Sequence, residues 1–143
     1  MIDQLLRRLR SPVAAPAPGA ALAMAALLVR LARADGSYDV TEVASINRAL
    51  AGSFGLSPEA AGALRLQAEA LEAKAPDTVR FTRSLKDAVP HGHRIALVEA
   101  MWRVVLSDGI RDEEEESMMR LVTNLLGISD VDSALARQRV GAR

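Results

Sequence analysis

Apolar residues recur at three- and four-residue intervals along most of this chain, and no stretch keeps the strict alternation of a half-buried strand. The pattern predicts helices throughout. A nearly unbroken apolar run over 20–34 stops at Gly36, a residue able to take the left-handed conformation just past a helix. A second helix starts at Asp39 and runs to about 53, with Val43, Ile46 and Leu50 on one side. Ser57-Pro58-Glu59 opens a third, with serine as N-cap and proline at the first helical position. Its stripe is Leu64, Ala68 and Leu71, and Pro76 closes it. A fourth begins at Asp77, buries Phe81, Leu85 and Val89, and ends at Pro90. A turn at His91-Gly92-His93 leads into a fifth over about 93–107, carrying Ile95, Val98, Trp102, Val105 and Leu106. The sixth runs from Asp112 to about 126 through Met118, Leu121, Val122 and Leu125. A last short helix starts at a Ser129 cap and frays into a basic tail. The expectation is an all-α fold, a single helical domain of six or seven helices.

The polar punctuation between these helices repeats. Asp35-Gly36-Ser37-Tyr38-Asp39-Val40-Thr41-Glu42 returns 73 residues later as Asp108-Gly109-Ile110-Arg111-Asp112-Glu113-Glu114-Glu115, with Asp, Gly, Asp and Glu in register. Each copy follows an apolar run with an arginine five residues before its first Asp, Arg30 and Arg103. Each precedes a helix closing on Gly55-Leu56-Ser57 or Gly127-Ile128-Ser129. A match across helix, loop and helix points to duplication, and so to two halves related by a pseudo-twofold axis.

Composition narrows the chemistry. Half of the 143 residues are apolar and only 3% aromatic, so the core is built from Ala, Leu, Val, Ile and Met, which suits close helix packing. There is no cysteine, which excludes disulfides, thiolate metal sites and a cysteine nucleophile, and fits a reducing, cytoplasmic setting. The formal net charge is zero but unevenly spread. Residues 20–132 hold 17 acids against 12 bases, a net of −5, while residues 1–19 carry +2 and 133–143 carry +3. An acidic body argues against nucleic-acid binding and favours a cation or a basic partner. The division expected is an N-terminal amphipathic arm with a Pro/Ala linker over 1–19, a helical domain over 20–132 and a basic tail over 133–143. Ile2, Leu5, Leu6 and Leu9 oppose three arginines in the arm, so contact of residues 1–10 with a membrane surface or another subunit is an option. The uncharged stretch 11–29 is broken by Pro12, Pro16, Pro18 and Gly19, leaving ten apolar residues before Arg30, too few to span a bilayer.

Two accounts compete for the repeated acids. Asp39 to Glu42 and Asp112 to Glu115 are both capping-box spacings, each cap contributing about 1 kcal/mol, and acids in a first turn also complement the helix dipole. Capping explains Asp35 and Asp108 less well, because an acid just before the glycine that ends a helix meets the negative end of the dipole. If duplication brings the loops together, Asp35, Asp39, Glu42, Asp108, Asp112 and Glu115 form an oxygen-rich pocket suited to a divalent cation, calcium or magnesium. The spacing is not that of an EF-hand.

The same residues resemble the TerB-like domain of tellurite-resistance proteins. An apolar helix ending Ala34-Asp35-Gly36, a glutamate seven residues past that Asp, a Gly-Leu-Ser helix end and a second Asp-Gly copy carry the likeness over roughly residues 20–130. The resemblance implies an all-helical fold of two related halves with an acidic metal-binding surface, in bacterial proteins linked to tellurite and other chemical stress. By position it implicates Asp35 and Glu42, then Asp108 and Glu115, with Asp39 and Asp112 beside them. The Pro/Ala arm and Ser107, where the first copy has Ala34, are departures.

The function expected is therefore a non-enzymatic stress-response module binding a divalent cation through two Asp-Gly loops. The alternative is a helical interaction domain, engaging a protein partner or a second copy, in which the acids are only caps. No phosphate loop, dinucleotide fingerprint or catalytic triad pattern is present, and a metal-dependent hydrolase would need an enclosed pocket around the acids. His91 and His93 lack a third zinc ligand nearby. Trp102 reads as core, its indole N–H needing an acceptor. Arg30 and Arg103 are each expected either to pair with acids of the opposite loop or to be solvated.

Overall fold

The computed structural model describes residues 19–34, 36–74, 77–107 and 113–141. Among these, every regular element is an α-helix. They are α1 (Ala20–Arg33), α2 (Val40–Phe54), α3 (Pro58–Lys74), α4 (Val79–Ala88), α5 (His91–Val105), α6 (Glu113–Leu125) and α7 (Asp130–Gly141). The arm at 1–18 lies outside the described residues.

The caps form where side-chain chemistry places them. The Asp39 carboxylate accepts from the Glu42 N–H at 2.9 Å, Ser57 Oγ from the Ala60 N–H at 3.1 Å, and Ser129 Oγ from the Asp132 N–H at 3.1 Å. Asp77 accepts from the Arg80 N–H at 3.3 Å ahead of α4. The fifth helix starts earlier than the glycine suggests. His91, Gly92 and His93 form its first turn behind Pro90, with both histidines exposed, because proline in an extended conformation presets the N-terminus of a helix.

The uncharged run is the centre of the molecule. Nine of the fourteen residues of α1 are buried, from Ala23 to Ala32. A helix apolar on nearly every side requires neighbours all round it. It packs on α2, α3, α4, α5 and α6. Among the described residues no helix is long and apolar enough to cross a membrane. The packing of the first three helices recurs in the last three: α1 lies on α3 and α2 as α5 lies on α7 and α6. Across the two sets, α2 packs on α5 and α1 on α6. The extra helix α4 sits between the sets, against α1 and α6, with Phe81 and Leu85 fully buried.

Two readings of helix faces need correction. Leu121 is 46% exposed, while Met119, Val122 and Leu126 are fully buried. The basic tail is not frayed: α7 continues through 133–141, with Ser133 and Ala136 buried. Trp102 holds it in place. Its Nε1 donates to the Ser133 carbonyl at 3.1 Å and to Ser133 Oγ at 3.2 Å, while Arg137 lies 5.0 Å above the ring and pairs with Glu116 at 2.9 Å.

Candidate metal centre

The first Asp-Gly loop turns on a glycine that the geometry requires. Gly36 has φ +81°, a conformation that a side chain resists, and its N–H donates to the Arg33 carbonyl at 2.9 Å to finish α1. Three residues later Asp39 caps α2. The reading of Asp39 as a cap therefore holds. Glu42, in the first turn of α2, is only 2% exposed. Burying a carboxylate is costly unless hydrogen-bond donors or positive charge compensate it, so its inward direction is not a property of a solvated helix start.

The second loop follows α5, where Ser107 Oγ donates to the Val104 carbonyl at 2.7 Å. Residues 108–112, including Asp108 and Asp112, lie outside the described ones, as does Asp35 in the first loop. Helix α6 then opens with four glutamates. Glu113 and Glu114 are exposed, but Glu115 is 2% exposed. Glu115 stands at the position of the repeat that Glu42 occupies, so the same acid of each copy is the buried one.

Helix packing brings the neighbourhoods of the loops together. Ala34, the residue before Asp35, lines a shallow groove of about 570 Å³ with Glu113, Glu114, Ser117, Met118 and Leu121. The end of α1 thus meets the start of α6. Of the six acids singled out from the sequence, the structure describes Asp39, Glu42 and Glu115. Among the described residues no group of three or more Asp, Glu or His side chains is placed to hold a metal ion.

What holds the first loop is a residue that repeat matching passes over. Tyr38 has Arg111 as its counterpart in the second copy, so nothing in the repeat marks it. Its hydroxyl donates to Glu69 Oε2 of α3 at 2.7 Å. Arg65 donates to the same oxygen at 2.6 Å and to Asn47 Oδ1 at 2.9 Å, and Arg33 lies 5.1 Å above the tyrosine ring. Burial, then the hydrogen bond to Glu69 and its negative charge, push the Tyr38 hydroxyl up to about 12, with Arg65 opposing. Burial alone would raise Glu69, but the hydrogen bonds from Tyr38 and Arg65, with the charges of Arg65 and Arg33, hold it below the usual carboxylate value.

A pH dependence follows. Because the folded Tyr38 pKa exceeds its ordinary value of 10.0, the stability it contributes is complete below pH 10 and disappears as pH rises through about 12. Glu69 has the opposite sense: its contribution is present above 4.5 and fades as pH falls through its lower folded value. Tyr38→Phe should cost about 1 kcal/mol at neutral pH, the net worth of one hydrogen bond. Urea midpoints measured from pH 9 upward should fall for wild type between pH 10 and 12 and lose that decline in the variant; parallel curves would disprove the linkage.

Among the described residues, each repeat arginine has a partner on a helix. Arg30 donates to Glu72 Oε1 at 3.4 Å, to the Glu72 carbonyl at 3.3 Å and to Thr78 Oγ1 at 3.2 Å, tying α1 to the end of α3. Arg103 lies 3.8 Å from Glu99 on its own helix.

Comparison with known proteins supplies the family. The sequence model described as Tellurite resistance protein TerB matches residues 21–138. That match reaches all seven helices of the described residues, stopping three residues short of the end of α7, and the chain belongs to the TerB family. No curated protein and no solved structure matches it.

Proposed function

We propose that this TerB-family chain is a non-enzymatic bacterial stress-response module that binds a divalent cation, calcium or magnesium, through the acids of its two Asp-Gly loops, and that it works in the cytoplasm. One observation carries the reading: Glu42 and Glu115, 73 residues apart at matching positions of the repeat, are both 2% exposed, while their neighbours Glu113 and Glu114 are solvated. Capping and the helix dipole account for exposed acids in a first turn. They do not require the same acid to be buried in both copies. A shared hard cation accounts for the matched burial, because it compensates buried carboxylate charge and takes oxygen ligands.

The donor set fits such an ion. The candidate ligands are all carboxylates, cysteine is absent, and the two histidines are exposed on α5, so thiolate- or imidazole-seeking metals have nothing comparable. Asp35 and Asp108 would complete the set from the loops, with Asp39 and Asp112 at the helix starts. An ion held between the two halves would set the angle between them. The groove between Ala34 and Glu113 is shallow and open, which supports binding over catalysis there, since hydrolysis needs an enclosed site.

Calorimetric titration with calcium and with magnesium tests this directly, using wild type and the Asp35→Asn/Asp108→Asn double variant. Asparagine keeps size and removes charge. Wild type should give saturable heat, and the variant should bind at least about tenfold more weakly, because affinity follows ligand charge. Silence from the wild type at millimolar metal would reject the proposal.

A further inference from the structure

A second groove, larger than the one at Ala34, differs in character from the acidic loops, although Ser107, just before Asp108, lines it. It is a groove of about 890 Å³ between α2, the end of α4 and α5, within the size range of small-molecule sites. Its walls are mainly apolar, including Ala49, Phe54 and Leu97, with Ser45, Ser53 and His93 among them and Gly52 leaving one side open. Among the described residues lining it, the charged side chains are two arginines, Arg48 and Arg103, with the His93 imidazole also on the wall and no Asp or Glu. That is unusual in a body whose residues 20–132 carry a net charge of −5.

Neither guanidinium is closely paired among the described residues. Arg48 is exposed and takes part in no ion pair among the described residues. Arg103 is about half exposed, and its partner Glu99, 3.8 Å away, is held more closely by Arg139 at 3.2 Å. Two guanidiniums facing one groove can fork onto an anionic head group, as planar donors do with carboxylates. Two guanidiniums are few for a polyanion such as a nucleotide, and the apolar part of the wall suits a hydrocarbon body.

We propose that this groove binds an amphipathic monoanion, a medium-length acyl chain ending in a carboxylate, with Arg48 and Arg103 on the head and the α2–α5 walls on the chain. The site uses none of the Asp-Gly acids and stands whether or not the cation does.

The test uses the full chain and three probes below their micellar concentrations, decanoate, decanol and decyltrimethylammonium, by calorimetry and by amide chemical shifts. Decanoate should bind one per chain and shift amides of α2 and α5. Decanol should bind about tenfold more weakly and the cation not at all. Octanoate should bind roughly fifteenfold more weakly than decanoate, since each buried methylene is worth about a factor of four. Arg48→Ala/Arg103→Ala should reduce decanoate affinity to that of decanol. In Gly52→Leu the new side chain fills the groove, and because a Cβ there meets nothing within 4 Å the variant should keep its melting temperature while losing decanoate. Equal binding of all three probes, shifts confined to other helices, no binding of decanoate, or unchanged binding by a folded Gly52→Leu would each overturn the assignment.

Discussion

Phe81→Ala should lower the unfolding free energy by about 3–5 kcal/mol, the usual cost of emptying a buried phenylalanine site. Phe81 is fully buried on α4, the helix that packs against α1 and α6 and joins the two sets of three helices. The chain has only two phenylalanines and one tryptophan, so few other side chains supply comparable area. The ring also carries a charge above it. The Arg30 guanidinium lies 5.4 Å from its centroid while reaching Glu72 and Thr78. Truncation therefore removes packing under α1 and a supporting face for the link from α1 to α3. A domain of this size has roughly 5–15 kcal/mol in total, so the loss is a large share, and the melting temperature should fall by roughly 10–20 °C. Phe81→Leu, which keeps most of the volume, should cost less than about 1.5 kcal/mol. Urea unfolding of the three proteins decides the matter. A loss below 1 kcal/mol for alanine would mean that α4 is an appendage and not a bridge.

Helix order was legible in the sequence because helix ends are local chemistry. Asp39, Ser57 and Ser129 cap where their positions before apolar runs indicate, and Gly36 takes positive φ where a helix must stop. Facing is a different matter. Leu121 keeps helical spacing with core residues yet lines the shallow groove beside Glu113 and Glu114, since which side of α6 turns inward depends on how α1 crosses it. Partner choice is equally non-local. Arg30 could meet several carboxylates, and only the packing of α1 on α3 selects Glu72. The candidate site was half legible for the same reason. Spacing marks Asp39 and Glu42 identically under capping and under metal binding. Burial separates them, with Asp39 exposed at the cap and Glu42 enclosed. Tyr38 was invisible because its partners, Glu69 and Arg65, come from a helix that the repeated loop does not include.

Arg94 illustrates that gap at its widest, and Arg94→Met should cost about 2–3 kcal/mol. Its repeat counterpart is Ala21, so duplication gives no sign of a role. In the structure one guanidinium closes two helices. Nε donates to the Val89 carbonyl at 2.8 Å and Nη2 to the Lys86 carbonyl at 3.1 Å, at the end of α4. Nη1 donates to the Leu126 carbonyl at 3.2 Å, just past α6. The last carbonyls of a helix have no partner within it, and a cation there also opposes the negative end of the dipole. Hydrogen bonds from a charged donor are worth about 1.5–3 kcal/mol when buried, but the bond to Lys86 is exposed and contributes little, which sets the estimate. Methionine retains the aliphatic stem, so the measured loss reports the lost donors and charge. Arg94→Lys should recover less than half of it, because a single ammonium cannot reach three carbonyls in the directions a planar fork does. Amide hydrogen exchange supplies the local readout. In both variants protection should fall first in the last turns of α4 and α6, leaving α1 and α3 close to wild type; uniform loss across all helices would show that Arg94 supports global packing and not these two ends.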